Sequence, residues 1–316
     1  MIVKAKLNYK PPFFLFNAPL EPFFPSQFRN VKLPPYQRER ITTPDNDFLD
    51  LDWLKQDSQK LAIISHGLEG DTSRPYIKGM AKALYDNGYD TLTWNYRGCS
   101  GEMNQALRFY HSGATDDLAT VVDHASDKGY REINLIGFSL GGNLTLKYLG
   151  EDRNRPALHK AVTFSVPLDL HTSCMKISEP SNWIYSQRFL RSLRKKVIGK
   201  SKIMQGIDIT LLKEVKTLQQ FDDVFTGPIH GFKDAIDYYT QCSSLRVVAN
   251  IVTPTLIVNA KNDPFLSPTC FPNDLLKNHL FVSLETPERG GHVGFTQFNK
   301  NGLYWSEERT LEFLSR

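Results

Sequence analysis

The chain has 316 residues, 41% of them hydrophobic and 23% charged, which is the composition of a globular protein with a sizeable buried core. The formal net charge is only +4, and no basic stripe interleaved with aromatic residues accompanies it, so nucleic acid is not an expected partner. The four cysteines are widely spaced and form no C-x-x-C pair, which argues against a zinc or dithiol site and favours a cytoplasmic protein.

The N-terminal segment, residues 1–35, is rich in proline and phenylalanine. We expect neither a signal peptide nor a membrane-spanning helix, because prolines interrupt its short apolar run. We predict an irregular arm that packs on the body with its aromatic side chains buried; an arm that contacts lipid or a partner is the alternative. The aromatic side chains concerned are Phe13, Phe14, Phe16, Phe23, Phe24 and Phe28.

Apolar runs alternate with helical patterns through residues 36–169 and again through 246–316. The alternation predicts parallel βαβ units with right-handed crossovers, and therefore an α/β fold in which helices flank a mostly parallel central sheet. The predicted strands are 38–43, 47–53, 61–64, 90–95, 133–136, 161–165, 255–259 and 281–284. The predicted helices are 76–87, 116–126 and a helix that includes 310–314.

The alternation lapses between residues 170 and 245, where helical patterns occupy 181–204, 209–222 and 231–241. We predict that 170–245 is an inserted helical cap over the carboxyl edge of the sheet, where open α/β sheets bind ligands. The helix predicted at 181–204 is basic. A solvated face is the interpretation we favour, and a peripheral contact with an anionic membrane surface is the alternative.

The most informative segment is 137–141, with the sequence Gly-Phe-Ser-Leu-Gly. It lies between the apolar run 133–136 and a helix-compatible run that begins at Gly142, which is the context of a nucleophile elbow. The flanking glycines are needed because a Cβ there would clash with the neighbouring strand and helix. Ser139 is therefore the predicted nucleophile, exposed at a helix N-terminus that favours developing negative charge.

A serine nucleophile needs a base and an orienting acid. His292 is the predicted base, because it lies among glycines in 290–294, after the last predicted strand, where small neighbours permit close approach to the elbow. Asp263 is the predicted acid; it follows the strand 255–259 and gives the chain order Ser, Asp, His. Asp274 and Glu285 are weaker rivals for this role.

Acyl transfer also needs two hydrogen-bond donors for the developing oxyanion. We assign them to the backbone N–H groups of Leu140, directly after the nucleophile, and Leu68, in the loop after an earlier strand. In that loop the His66 side chain is interpreted as a loop organiser and Glu69 is given no catalytic role. Cys99 is disfavoured as an alternative nucleophile because no histidine pairs with it in the sequence pattern.

Five ordered motifs extend these assignments over nearly the whole chain, at 66–70, 95–102, 110–113, 137–143 and 290–295. Together they resemble the YheT-like branch of the α/β-hydrolase superfamily. The resemblance implies an α/β-hydrolase fold with a helical cap, no metal, and a triad with Ser139 as nucleophile, Asp263 as acid and His292 as base. It also suggests that His111 shapes the site near Arg97. Eukaryotic relatives act on medium-chain esters or phospholipids, while the bacterial members have no defined substrate.

The function predicted from these residues is hydrolysis of carboxylic esters with short to medium acyl chains through an acyl-enzyme, without cofactor or metal. The apolar residues of the cap favour a small-molecule or lipid ester over a charged substrate. Two alternatives remain open: an acyltransferase or ester synthase that uses the same triad, and a non-catalytic binding protein on the same scaffold. The sequence leaves the natural substrate and the oligomeric state undefined.

Overall fold

A computed structural model describes residues 9–15, 17–18, 20–151 and 157–316. Within these residues one sheet is formed by β1 (Gln37–Thr42), β2 (Phe48–Leu54), β3 (Lys60–Ser65), β4 (Asp90–Asn95), β5 (Glu132–Phe138), β6 (Leu158–Phe164), β7 (Thr255–Val258) and β8 (Val282–Glu285). The strand order is β1-β2-β4-β3-β5-β6-β7-β8. Strands β1 and β2 pair antiparallel, β2 runs antiparallel to β4, and the remaining neighbours are parallel.

The helices are α1 (Leu20–Phe28), α2 (Pro75–Tyr85), α3 (Thr115–Asp127), α4 (Leu140–Gly150), α5 (Leu170–Ile177), α6 (Trp183–Ser201), α7 (Leu218–Phe221), α8 (Gly227–Ile229), α9 (Ala235–Cys242), α10 (Asn273–Leu276) and α11 (Trp305–Ser315). Helices α2 and α11 contribute to the core on one face of the sheet, and α3 and α4 to the core on the other. Because both faces are covered, β3, β5 and β7 are nearly continuous apolar runs. The predicted mostly parallel sheet flanked by helices is confirmed.

The carboxyl ends of the parallel strands bring the predicted site loops to one edge of the sheet. Ser65 of β3 pairs with Gly137 of β5, and Phe164 of β6 pairs with Val258 of β7. The loops that leave these strand ends carry the predicted oxyanion, nucleophile and acid residues. The fold therefore gathers residues that are far apart in the chain.

Helices α5 to α9 all lie within 170–245 and share an apolar cluster separate from the two sheet cores. The predicted helices at 181–204 and 231–241 correspond to α6 and α9. The single helix predicted over 209–222 is wrong: a 3-10 turn at Ile209–Lys213 is followed by α7 and then by a π-helical turn, Asp222–Thr226. Thr217 forms a capping box with Gln220, and this starts a new helix in the middle of the predicted one.

The N-terminal segment differs from the irregular arm that the sequence predicts. Residues 1–8, Phe16 and Pro19 lie outside the described part of the chain, but Leu20–Phe28 forms α1, with the side chain of Asn17 accepting a hydrogen bond from the Leu20 amide. The aromatic side chains are not uniformly buried, since Phe13, Phe23 and Phe28 are exposed. The residues of α1 that are buried include a carboxylate, Glu21, whose tertiary contacts override the low helix propensity of the prolines.

Candidate active site

Ser139 occupies a sharp turn between β5 and α4. Its backbone φ of 53° and ψ of −120° lie outside the regions that L-residues ordinarily adopt. The turn is possible because its neighbours are glycines: a Cβ on Gly137 would lie 2.6 Å from the carbonyl oxygen of Gly141, and a Cβ on Gly141 would lie 2.5 Å from that of Ser65. The close approach that the elbow pattern implies is therefore present, and it presents the hydroxyl at the N-terminus of α4.

The structure brings the three predicted triad side chains into one hydrogen-bonded chain. His292 Nδ1 lies 2.9 Å from Asp263 Oδ2, and His292 Nε2 lies 2.9 Å from Ser139 Oγ. Asp263 is buried, and its other oxygen accepts a hydrogen bond from the backbone amide of Phe265 at 3.0 Å, which fixes the carboxylate plane. With Nδ1–H donating to the carboxylate, Nε2 is free to accept the serine proton.

The rival acids lie elsewhere. Glu285 is buried and forms an ion pair with Arg309, with 2.7 Å between Oε1 and Nη2, so its charge is already compensated. Asp274 is on the exposed side of the short helix α10. Of these carboxylates, only Asp263 contacts the imidazole.

The predicted oxyanion donors lie in the same cavity as the serine. Leu68 and Leu140 both line it, and neither backbone amide donates a hydrogen bond to another residue that the structure describes. The neighbouring amides are engaged instead, since that of Gly67 donates to the Tyr76 hydroxyl and that of Glu69 to the Tyr110 hydroxyl. This leaves the two assigned N–H groups available for an oxyanion.

His66 and Cys99 stand close to the site without the properties of catalytic groups. The ring of His66 is buried, with Nδ1 2.8 Å from the carbonyl oxygen of Gly67, and burial lowers its pKa to about 4. A neutral ring with this contact is suited to organising the loop. Burial raises the pKa of Cys99 to about 11, so its thiol stays protonated and is a poor nucleophile.

Two lysines of the basic helix α6 face inward, which corrects the interpretation of the whole basic run as a solvated or lipid-facing surface. Lys196 Nζ lies 2.7 Å from Glu69 Oε1, and Lys200 Nζ lies 2.6 Å from Asn104 Oδ1 in a fully buried position. The hydroxyl of Tyr110 also donates to Glu69. Lys196 thus ties α6 to the loop that carries Leu68, and Lys200 ties it to the segment around Asn104. The signal in the sequence was the spacing of four residues between the lysines, which places both on one side of the helix.

The suggested proximity of His111 to Arg97 is only partly reflected in the structure. His111 lines the same cavity as Ser139, and burial holds the pKa of its ring well below the usual value. Arg97 is instead held by carboxylates, with Asp47 and Asp117 at 2.9 and 2.7 Å. Arg97 therefore stabilises the loops behind the site, whereas His111 faces the cavity.

One residue that the sequence analysis missed is Glu21, a fully buried carboxylate on α1. Its Oε2 accepts hydrogen bonds from the Gly290 amide at 2.8 Å and from Asn262 Nδ2 at 3.0 Å, and its Oε1 accepts one from Arg289 Nε at 2.7 Å. The side chain of Asn262 in turn accepts from the Gly291 amide at 3.0 Å. Glu21 thus joins the loop that carries Asp263 to the loop that carries His292. Nothing in the proline-rich sequence around it marks this role.

We expect Glu21→Gln to slow ester hydrolysis by about 10- to 100-fold, because a small displacement of a catalytic loop costs this much. The substitution keeps the shape but removes the charge that Arg289 neutralises. The measurement is kcat and the rate of fluorophosphonate labelling, alongside the melting temperature. The control is Glu288→Gln, an exposed carboxylate in the loop that follows β8 and carries His292. A loss of stability with an unchanged labelling rate in the folded fraction would contradict a positioning role for Glu21.

Ser139 and His292 line two adjoining spaces. One is a cavity of about 120 Å³ between the sheet edge and the helices of the predicted cap, lined by Leu170, Leu193 and other mostly apolar side chains. The other is a groove of about 260 Å³ bordered by α1 and α6, with Arg188 in its wall. Because Ser139 borders both spaces, the two parts of a substrate bound at this serine can lie on separate surfaces.

An eight-stranded, mostly parallel sheet with a serine at the elbow after β5, within hydrogen-bond reach of a histidine, defines the class of α/β hydrolases. A solved structure of an esterase of Pyrococcus furiosus, Pf2001, has the same fold, with a TM-score of 0.60 at 19% identity over 99% of both chains. The family model described as "Serine aminopeptidase, S33" matches residues 56–270.

Sequence relatives place the chain more narrowly. It is 35% identical over 310 residues to YheT of Escherichia coli (strain K12), whose name describes it as a candidate esterase; the match covers 95% of this chain and 90% of that one. It is 30% identical over 291 residues to phospholipase ABHD3 of Bos taurus, with coverage of 88% and 70%. The chain belongs to the YheT-like branch of the α/β-hydrolase superfamily, and it is a hydrolase.

The described residues include neither a metal-binding cluster nor a membrane-spanning helix. Across residues 9–15, 17–18, 20–151 and 157–316, no group of three or more His, Cys, Asp or Glu side chains is arranged to hold a metal ion. In the same part of the chain, none of the helices combines the length and the apolar character that crossing a bilayer requires.

Proposed function

We propose that this hydrolase cleaves carboxylic esters of short to medium acyl chains through a covalent acyl-enzyme on Ser139. The observation that carries the proposal is the position of His292, with one ring nitrogen 2.9 Å from Ser139 Oγ and the other 2.9 Å from Asp263. This arrangement supplies a general base at the hydroxyl and an anion that stabilises the imidazolium formed when the proton moves.

In the proposed reaction Ser139 Oγ attacks the ester carbonyl while His292 Nε2 takes its proton. The oxyanion receives hydrogen bonds from the Leu68 and Leu140 amides. His292 then returns the proton to the leaving alcohol, and the acyl group remains on the serine. Water, deprotonated by the same imidazole, then attacks the acyl carbon. The bond to Ser139 Oγ breaks, the imidazolium returns the proton to Oγ, and the acid is released.

The proposal is tested by labelling with a fluorophosphonate, with mass-spectrometric location of the adduct, followed by a panel of esters that differ in acyl length. Adduct formation on Ser139 and turnover of short to medium esters are expected. An acyltransferase or ester synthase would share the adduct but yield a new ester when an alcohol is added. A binding protein on the same scaffold would show neither adduct nor turnover, and the hydrogen-bonded triad argues against it.

The cap is expected to set the acyl length. Leu193 of α6 lines the cavity that also holds Ser139, so Leu193→Trp should shorten the space for an acyl chain. We expect kcat/KM for the longest accepted acyl chain to fall about tenfold or more, with short esters little affected. Leu211→Trp, an exposed cap position outside the cavity lining, is the matched control. An unchanged chain-length profile in several such cavity variants would refute the role of the cap.

Ester hydrolysis is expected to survive exhaustive dialysis against a chelator. The triad and the two amides already supply the base, nucleophile and oxyanion stabilisation that a Lewis acid would otherwise provide. The measurement is turnover before and after dialysis, with the fold checked by circular dichroism. A loss of turnover that added metal restores, in a protein that stays folded, would overturn the mechanism.

The proposal also covers the cellular compartment and the partners of the protein. The cysteines Cys99, Cys174, Cys242 and Cys270 are free thiols, which supports a reducing, cytoplasmic setting. On α6 the outward-facing side chains include Arg188, Arg191 and Lys195 beside the exposed Trp183 and Ile184. A solvated face remains our interpretation of these charges, and contact with an anionic lipid surface remains a prediction that binding to vesicles would test.

A further inference from the structure

The cavity beneath the cap contains one side chain that a plain acyl pocket does not need. Asp222 is the only acidic residue among those that line the cavity, and the lining contains no lysine or arginine. Most of the lining is aliphatic or aromatic, and its other polar residues, which include His111, Ser173 and Thr226, are not acidic. The carboxylate is therefore the single acidic group in a mostly apolar space. It comes from the cap, whereas Ser139 comes from the sheet edge of the same cavity.

Asp222 is held in place by neutral hydrogen-bond donors. The Tyr239 hydroxyl lies 2.6 Å from Asp222 Oδ2, and the Thr226 side chain donates a second hydrogen bond. No ion pair to Asp222 is found within the described part of the chain. Burial raises its pKa to about 6, so the carboxylate form still predominates at neutral pH.

The Asp222 side chain is only half-buried. Filling the cavity with an unsubstituted alkyl chain would remove water from a carboxylate that has no cation beside it, which is costly. A ligand group that donates a hydrogen bond would offset that cost, most strongly when it is charged.

The Asp222 carboxylate is also held rigidly by the backbone around it. It opens the π-helical turn Asp222–Thr226, and Phe221 and Phe225 around it are buried in the cap core. Turns of this kind are frequent at functional sites.

We propose that Asp222 recognises a hydrogen-bond donor, a hydroxyl or an ammonium group, carried on the acyl part of the substrate away from the ester bond. The preferred substrate would then be the ester of a hydroxy or amino acid rather than of a simple fatty acid. This inference rests on the proposed function, because it takes Ser139 as the point of acylation. A site built to pair with a donor rejects the analogue that lacks it.

The test uses methyl esters of hexanoic and octanoic acids whose terminal carbon carries hydrogen, hydroxyl or ammonium, with acid release followed at constant pH. The wild-type protein is expected to favour a donor-bearing ester over its plain counterpart by about tenfold or more in kcat/KM. The hydroxyl and ammonium arms identify which donor the site takes. Asp222→Asn should abolish an ammonium preference, and Asp222→Leu should reverse either preference in favour of the plain ester.

Asp223→Asn is the matched control, because Asp223 is adjacent in the same turn but accepts from the Ala235 amide and does not line the cavity. It should keep the wild-type preference. A wild-type protein that hydrolyses plain esters without favouring either donor would overturn this inference while leaving the proposed function intact. So would a preference that persists in folded Asp222→Asn and Asp222→Leu. Failure of Ser139 labelling and of every ester would instead defeat the proposed function.

Discussion

Replacement of Ser139 by alanine is expected to abolish covalent labelling by a fluorophosphonate and to lower ester hydrolysis by about 10⁴-fold or more. The reason is geometric. The hydroxyl is the group at the elbow that lies 2.9 Å from His292 Nε2, and alanine leaves the base with no proton to take. The fold should persist, because the backbone of Ser139 makes the hydrogen bonds of the turn, its amide donating to Phe164 and its carbonyl accepting from Gly142.

The matched control for this experiment is Ser126→Ala on α3, a serine whose hydroxyl donates to the carbonyl oxygen of Val122, in its own helix. It should leave labelling and turnover unchanged. Labelling and turnover are measured by gel fluorescence and by acid release, with melting temperature as the check on folding. Labelling that persists in Ser139→Ala would show that a different residue is the nucleophile.

Much of the sheet was predictable because its strands have a simple physical signature. The run that became β4 was predicted with its observed ends, 90–95, and the strands β5 and β7 differ from prediction by one to two residues at their ends. Both faces of β5 and β7 are covered by helices, so most of their side chains are apolar and the runs stand out, whereas β4 is fully buried but carries four polar residues. The elbow was predictable for a related reason, since only glycine fits at positions 137 and 141.

The contacts between distant segments were not predictable in the same way. Glu21 hydrogen-bonds to both loops that meet at His292, and Lys196 of α6 forms an ion pair with Glu69. In the local sequence, however, each is an ordinary charged residue. Their roles depend on which partner the fold brings near, and a single sequence contains no record of that. Asp222 belongs to the same group, because the role that we propose for it comes from its place in the cavity lining and not from a motif. The prediction of one helix over 209–222 was wrong because a capping box begins a new helix within it. This local capping outweighed the helical periodicity.

Replacement of Asp263 by asparagine is expected to lower kcat by about 10³- to 10⁴-fold while the protein stays folded. Asparagine keeps an oxygen that can accept from the Phe265 amide, so the loop should hold its shape. Its amide would instead present N–H groups to His292 Nδ1. That favours the tautomer with the proton on Nε2, and such a ring cannot accept the proton of Ser139.

The effect distinguishes the orienting acid from its rivals. Asp274→Asn, a substitution of the same kind on the exposed α10, should leave kcat unchanged. Fluorophosphonate labelling of Asp263→Asn should be slowed but still end on Ser139, because the nucleophile remains and only its activation is impaired. Equal kcat values for Asp263→Asn and the wild-type protein, at unchanged melting temperature, would mean that the carboxylate 2.9 Å from the imidazole does not govern its tautomer. The base would then have to be oriented by some other contact, and the assignment of Asp263 as the acid of the triad would fall.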